Sequence, residues 1–314
     1  SLLAPCKVIP CLMPNSNTRA LVLPNDVYLE SVRRVASVPI VALLDSRRVS
    51  DAFLVSIGVR AHLDVSAVLR DIESLEWGPA ELVVYVRGAA PSLSRDEMKR
   101  LKAARVFPVV GSKDRLSAND VYFDDEAARL LNLPILAWSP NSNADVETLT
   151  MLGVRRGPQL SRLLGTMAST RPEHARMRPA LLRYFVTHIY GRYGSEYKAS
   201  EAPAFLPLST YTGADCEDHA VSEDAKLAAC LGKPSEIFVD EPLAILGLPV
   251  IHSDLHSYAA IFGVSARPPA QVIVKLLQSK AFAPRNAAKL FAYLSTILAD
   301  FGQSQLSALS TSAF

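Results

Sequence analysis

Two short clusters in the sequence combine residue types that could do chemistry. Residues 215–219 (DCEDH) set a cysteine beside acids and a histidine, the parts of a thiol nucleophile and its base. Residues 252–256 (HSDLH) would place two imidazoles on one face of a helix, as in zinc sites. However, sequence neighbours seldom face each other, acidic surroundings raise the pKa of a thiol, and HSDLH lacks the glutamate of H-E-x-x-H. We therefore predict no catalytic residue, no metal site and no cofactor.

A basic stretch is a stronger candidate for contacts with a partner. Residues 150–199 hold nine Lys/Arg and two Glu, a net charge of +7, whereas residues 204–256 have a net charge of −7. A predicted helix end is followed by Arg155, Arg156 and Arg162. At this position the three side chains could contact the phosphates of a nucleic acid. The alternative is that these two regions form complementary or merely solvated surfaces. The sequence of residues 153–156 (GVRR) has a counterpart at residues 263–269 (GVSARPP). That counterpart contains a single arginine, which disfavours a shared role in contacting a nucleic-acid groove.

Aromatic residues interleave with arginines in residues 183–197 (RYFVTHIYGRYGSEY). Such a mixture could stack on bases or hold a peptide. The same spacing is typical of an amphipathic helix whose aromatic side chains line the core, and PALLRYFVTHIYGRY predicts a helix that starts at Pro179. Both interpretations stay open. The candidate contacts with a protein or nucleic-acid partner are Arg155, Arg156, Arg162, Arg183, Tyr190 and Arg192.

Length and composition exclude several classes of protein. A chain of 314 residues with 49% apolar and 20% charged residues is globular with a sizeable core. The net charge of +2 gives no overall reason to bind nucleic acid or an anionic membrane, and no apolar run reaches the roughly 18–20 residues of a membrane span. Four irregularly spaced cysteines predict an intracellular protein, cytoplasmic or nuclear. Because the first residue is serine, we expect either a processed terminus or a part of a larger chain with adjacent domains.

One sequence motif occurs three times, and its repetition predicts the architecture. SIGVRAHLDVSAVLRDI, MLGVRRGPQLSRLLGTM and IFGVSARPPAQVIVKLL align on Gly58, Gly153 and Gly263. NDVY precedes the first two copies and SEIF the third, and the strand signals VIPCLM, VFPVV and AFLPLS open the copies. The repetition predicts three units, residues 1–104, 105–203 and 204–314, the last with an acidic insertion near 209–226.

Each predicted unit combines short strands with helices. DVYF favours a strand that leaves a turn, and DEAARLLNL a helix that ends before Pro134. ADVETLTMLGV favours a second helix ended by Gly153 in the left-handed conformation. PQLSRLLGTM favours a third helix with Pro158 in its first turn. The fold class is therefore α+β: three tandem units of about 100 residues, each with a small strand pair, four or five helices and a helix–turn–helix corner.

The order of strand, DVYF, helix–LP and LxxLGVRxxPxxxxLL resembles the repeats of sacsin-like proteins. It is most similar to large fungal proteins of unknown function that join an N-terminal Hsp90-type ATPase domain to long repeat regions. The resemblance implies a chaperone-like or scaffolding region. The ATPase motifs of that family, an Asn on a helix and Gly-rich lid segments, are not recognisable in this sequence, so no nucleotide-binding residue is carried over.

These observations favour a non-enzymatic scaffold that binds a protein partner in grooves between units. The alternative is a nucleic-acid-binding array of winged-helix-like modules centred on Arg155, Arg156 and Arg162. Salt-dependent binding to labelled duplexes or single strands would separate the two. An enzyme of an unrecognised type would need polar side chains that converge in one pocket.

Overall fold

A computed structural model describes residues 6–14, 18–30, 32, 38–43, 49–209, 230–279, 284–303 and 306–307. The chain divides into two compact units, Ser1–Gly157 and Pro158–Phe314. This division falls inside the second predicted repeat unit, so the repeat boundaries stay a prediction from sequence. The DCEDH cluster and nearly all of the predicted acidic insertion lie outside the described residues.

The first unit combines two small antiparallel sheets with helices. In chain order its strands and helices are β1 (Ile9–Leu12), β2 (Arg19–Val22), β3 (Ile40–Val41), α1 (Asp51–Ile57), α2 (Val65–Glu73), α3 (Pro79–Ala89), α4 (Arg95–Ala103), β4 (Phe107–Pro108), β5 (Arg115–Leu116), α5 (Glu126–Leu130) and α6 (Asn143–Leu152). Strand β1 lies between β2 and β3, and β4 pairs with β5. As predicted, α5 ends before Pro134 and α6 ends at Gly153.

The second unit is mainly helical. Its elements are α7 (Leu160–Met167), α8 (Pro172–His188) with a π-helix over Ile189–Tyr193, β6 (Leu206–Pro207), β7 (Leu231–Gly232), 3-10 helices over Glu241–Leu246 and Ser253–Tyr258, α9 (Ala259–Phe262), α10 (Ala270–Ser279) and α11 (Pro284–Ile297). Strands β6 and β7 form an antiparallel pair. With its helices and small strand pairs, the chain has the α+β fold class predicted from sequence.

The three repeated glycines mark corners with one common backbone frame. Gly58, Gly153 and Gly263 each end a helix in the left-handed region, with φ of 115°, 113° and 74°. Seven residues connect that helix to the next one in every copy (58–64, 153–159 and 263–269). In each copy, one residue of the connection forms an isolated β-bridge with an aromatic residue, which forms a second bridge with another segment of the copy. Tyr28 bridges Arg60 and Ile40, Tyr122 bridges Arg155 and Ile135, and Phe238 bridges Ser265 and Val250.

The prolines of the three strand signals are equivalent in the same way. Proline has no N–H group but keeps its carbonyl acceptor, so it suits a strand position whose amide is not needed. Each carbonyl accepts a hydrogen bond of 2.9 Å from an amide later in its copy: Ala42 to Pro10, Ala137 to Pro108 and His252 to Pro207.

The asparagine of NDVY explains why glycine is needed at two of the corners. A Cβ atom on Gly58 would lie 2.5 Å from Asn25 Oδ1, and one on Gly153 would lie 2.1 Å from Asn119 Oδ1. Positive φ adds a second reason, because L-residues other than Asn and Asp rarely adopt it. The asparagine and the glycine are therefore repeated together because they pack against each other.

Two helix starts differ from the prediction. Helix α7 begins at Leu160 with Gln159 as its N-cap, so Pro158 precedes the helix instead of lying in its first turn. Helix α8 begins at Pro172, and Pro179 therefore lies inside it. Because proline has no N–H group, the carbonyl of Ala175 lacks the donor that position 179 would normally supply.

Each unit has a buried apolar core. In the first unit, Leu82, Leu101 and Phe107 are fully buried, and Trp77 packs edge-on against Tyr85. In the second unit, Phe185 lies at the centre of an aromatic cluster that also contains Tyr193, Tyr197, Phe205 and Phe262. None of the helices in the described part of the chain is both long and apolar enough to cross a membrane.

Candidate functional site

Arg155, the central residue of the basic stretch, is part of the corner frame. Its guanidinium lies over the ring of Tyr122, 5.6 Å from the ring centroid, and donates a hydrogen bond of 3.0 Å to the Tyr122 hydroxyl. Arg60 and Tyr28 form the same arrangement in the first copy, at 5.8 Å and 3.2 Å. The guanidinium is thus committed to a partner within its own copy.

The other predicted contacts of the corner are exposed but lie in different units. Arg156 belongs to the first unit and follows Arg155 directly. Arg162 belongs to the second unit, where α7 presents it to solvent. The structure gives both side chains access to a partner but does not join them with Arg155 into one described site.

The aromatic–arginine segment is an amphipathic helix that turns most of its rings inward. Tyr184, Phe185 and Tyr193 are buried, as the core interpretation predicts, whereas Tyr190 is 79% exposed. Arg192 lies over the Tyr184 ring and donates a hydrogen bond to its hydroxyl. Like Arg155, Arg192 therefore has a structural partner, while Tyr190 faces solvent on the π-helix.

A groove in the second unit collects residues that the sequence did not connect. It has a volume of about 450 Å³ and runs along one face of α8. The α8 wall consists of Ala175, Arg178, Pro179, Leu182, Arg183, Val186 and Thr187. The opposite wall consists of Pro207, His252, Asp254, Leu255 and Tyr258, from β6 and from the 3-10 helix Ser253–Tyr258 with its N-cap.

Arg178 gives the groove a rigid base. Its side chain is buried, and its guanidinium donates hydrogen bonds of 2.7 Å to the carbonyls of Met167 and Ser169 at the C-terminal end of α7. A cation at this end of a helix also interacts favourably with the helix dipole. Burial lowers the pKa of the guanidinium, which still remains charged at neutral pH. Arg178 thereby ties α8 to α7 and is not available to a ligand.

The HSDLH cluster forms part of the opposite wall. His252 caps the 3-10 helix, since its Nδ1 accepts a hydrogen bond from the Asp254 amide at 3.4 Å, and the same Nδ1 lies 3.6 Å from the Asp254 carboxylate. The His256 ring is paired with the Ile251 carbonyl at 3.3 Å. Across the described residues, no group of three or more His, Cys, Asp or Glu side chains could hold a metal ion.

A second, more open depression in this unit is polar and internally paired. The Tyr293 hydroxyl donates a hydrogen bond of 2.8 Å to Asp240, and Arg267 lies 4.0 Å from the same carboxylate. Burial and this carboxylate raise the pKa of Tyr293. The network fastens α11 to the residue that precedes the 3-10 helix Glu241–Leu246. The apolar groove is thus the better candidate for a binding site.

Comparisons with known proteins identify the family but no function. No curated protein and no solved structure matches the chain. One family matches all of residues 1–314, and its description is "Protein of unknown function (DUF3684)". That description names neither sacsin-like repeats nor an ATPase domain. Since the match covers the whole sequence, the chain belongs to the DUF3684 family.

Proposed function

We propose that this chain is a protein-interaction region and that the groove along α8 is its binding site for a segment of a partner protein. The observation that carries the proposal is the apolar character of the groove walls. Leu182, Val186, Leu255 and Tyr258 line it together, and Tyr258 is 41% exposed. Covering such side chains removes apolar surface from water, which is the main favourable term in protein association.

The position of the groove supports this proposal. It lies where the last helix of the second predicted repeat meets β6 and the 3-10 helix of the third, as expected for a repeat protein that binds in grooves between units. We extend the proposal to a scaffolding role in a larger intracellular protein, and the free thiols of Cys6, Cys11 and Cys230 are typical of a reducing compartment.

The contacts of the arginines favour a protein over a nucleic acid as the partner. Two of the six candidate contacts, Arg155 and Arg192, lie over tyrosine rings of their own copy. A phosphate-binding surface depends on several cations that reach the backbone together, and each internal pairing removes one.

The chemistry of the groove supports a role without catalysis. Its buried cation, Arg178, is held by two backbone carbonyls, and His252 is held as a helix cap by the Asp254 amide. A catalytic site needs a nucleophile, a base and a group that stabilises developing charge, all directed at one point. The groove walls are instead dominated by aliphatic and aromatic side chains.

Selection of binding peptides tests the proposal. A displayed library of random 16-residue peptides is selected against the complete chain, and the affinity of enriched peptides is then measured for groove variants. We expect Val186→Asp and Tyr258→Asp each to weaken binding at least tenfold, because a carboxylate in the groove opposes apolar contact. The matched control is Val272→Asp, which changes a 39% exposed valine on α10 outside the groove.

Two variants are used because Val186 is partly buried and its substitution also strains the fold. Tyr258 is exposed enough to be replaced with little effect on folding, and the thermal midpoint of each variant checks this. Loss of binding in both groove variants but not in the control supports the proposal. The absence of any enriched peptide, or equal binding by all variants, would overturn it.

A further inference from the structure

We infer that the groove along α8 takes an amphipathic, acidic helix of a partner protein, with an acidic residue of that helix placed against Arg183. This inference rests on the proposed function, and it specifies the chemistry of the occupant. Three properties of the groove lead to it: the spacing of its wall residues, the state of its charged groups and the charge of the surrounding surface.

The spacing of the wall residues fits a helical ligand. The α8 wall is formed by positions i, i+3, i+4, i+7, i+8, i+11 and i+12 counted from Ala175, which is one continuous face of a helix over three turns. Twelve residues at about 1.5 Å each give this wall a length of about 18 Å. An amphipathic helix of similar length would lay its own i, i+3, i+4 and i+7 side chains along it.

The charged groups of the walls differ in whether they are already paired. Arg178 is buried against two carbonyls, whereas the Asp254 carboxylate is exposed on the opposite wall, beside the His252 Nδ1 that accepts the Asp254 amide. Arg183 is exposed, and its guanidinium has no hydrogen-bond or ion-pair partner among the residues that the structure describes. A charged rim beside an apolar groove selects a partner of the opposite charge. We therefore expect the partner helix to place a carboxylate against Arg183.

The α8 side of the groove has the same sign, whereas the opposite wall contributes Asp254. Residues 158–199, which contain α7, α8 and the π-helix, hold seven Lys/Arg and two Glu, a net charge of +5. A positive field of this kind speeds the approach of an acidic partner and slows that of a basic one. The ligand class is thus a helix with apolar residues on one face and Asp or Glu beside that face.

The peptides selected on the wild-type chain provide the test. We expect them to carry apolar residues at helical spacing with an excess of Asp and Glu over Lys and Arg. Arg183→Glu should weaken these peptides about tenfold, and a Glu→Lys change in the peptide at the contacting position should restore most of the loss. Arg162→Glu is the control, because Arg162 is exposed on α7 of the same unit and does not line the groove.

The outcomes separate this inference from the proposed function. Peptides that depend on Val186 and Tyr258 but show no acidic excess and ignore Arg183→Glu would overturn the acidic ligand and leave the groove as the binding site. Peptides that bind in an extended form, shown by circular dichroism of the complex, would overturn the helical ligand. Peptides that are weakened equally by Arg162→Glu would reveal a general charge effect and also overturn it.

Discussion

The corner at Gly153 and the corner at Gly263 have the same backbone frame but different side chains. In both, a residue after the glycine forms an isolated β-bridge with an aromatic residue that also bridges a second segment. At Gly153 the pair is Arg155 and Tyr122, joined by a cation–π contact and a hydrogen bond. At Gly263 the pair is Ser265 and Phe238, which lacks both the guanidinium of the arginine and the phenol hydroxyl of the tyrosine.

The replacement of both the arginine and the tyrosine at the Gly263 corner indicates the role of the arginine. If Arg155 served mainly to contact a ligand, nothing would link its replacement to that of the tyrosine. Without the arginine, the tyrosine hydroxyl no longer stabilises the corner, and without the tyrosine ring, neither does the guanidinium. The comparison therefore assigns Arg155 to the frame and leaves the groove along α8 as the candidate binding site.

The largest difference between the corners is expected on adding a methyl group to each glycine. Gly153→Ala should lower the free energy of unfolding by about 3 kcal/mol, because positive φ costs about 1–2 kcal/mol and Asn119 must also move. Gly263→Ala should cost about 1–2 kcal/mol, because its φ of 74° is nearer to the left-handed conformation that alanine can adopt, although the Ala199 methyl at 2.7 Å must also move. Urea denaturation measures both changes.

Gly165→Ala is the control for these two variants. Gly165 lies inside α7 with no atom within 4 Å of an added Cβ, so alanine should stabilise the chain by about 0.5–1 kcal/mol. Equal losses at Gly153 and Gly263 would contradict the role given to Asn119.

A second prediction converts one corner into the other. Arg155→Ser should cost about 1 kcal/mol, and Tyr122→Phe in the Arg155→Ser background should cost nearly nothing more, because the hydroxyl has already lost its donor. A double-mutant cycle measured by urea denaturation should give a coupling of about 0.5–1 kcal/mol. Strictly additive losses would mean that the pair is not a unit.

The hydroxyl that fastens α3 to the Gly58 corner gives a third prediction, on the pH dependence of stability. Tyr85 donates a hydrogen bond of 2.9 Å to the Leu63 carbonyl, and burial, followed by the charges of Glu97 and Asp64, raises its pKa from 10.0 to about 12. The raised pKa means that the unfolded chain loses the proton first, so the stabilisation is complete below pH 10 and is lost as the pH rises towards 12.

Tyr85→Phe isolates this contribution. At pH 8 the variant should be about 1 kcal/mol less stable than the wild type, the usual net value of one hydrogen bond. The difference in urea midpoint should shrink steadily between pH 10 and pH 12. A difference that stays constant over this range would mean that the hydroxyl is not buried and neutral in the folded chain.

The smallest expected effect concerns nucleic acid. With Arg155 and Arg192 over their tyrosines, we expect no salt-dependent shift of labelled duplex or single-stranded DNA at micromolar protein. Arg156→Ala and Arg162→Ala should then behave like the wild type. A shift that weakens steeply with salt and is reduced in these variants would support nucleic-acid binding by the basic stretch.

The sequence predicted the elements that depend on local signals. The glycine end of α6 and the proline strand signals follow from turn chemistry, and the structure confirms them. The buried Tyr184 and Phe185 agree with the core interpretation of the aromatic segment. The start of α8 was misjudged, because Pro179 is tolerated inside a helix that begins seven residues earlier at Pro172.

The groove could not be predicted because its walls are distant in sequence. Val186 and Leu255 are nearly seventy residues apart and line one cleft only after α8 and a 3-10 helix have packed. The Tyr–Arg pair, by contrast, left a readable signal. Tyr28 with Arg60 and Tyr122 with Arg155 recur at nearly equal separation, and the equivalent positions of the third copy hold Phe238 and Ser265.

The most direct test of the central claim is a methyl NMR titration of the complete chain with a selected peptide. Binding in the groove along α8 should shift the methyl resonances of Leu182, Val186 and Leu255 and leave those of Val154, beside the Gly153 corner, unchanged. Shifts centred on Val154, with the groove methyls unaffected, would contradict the account.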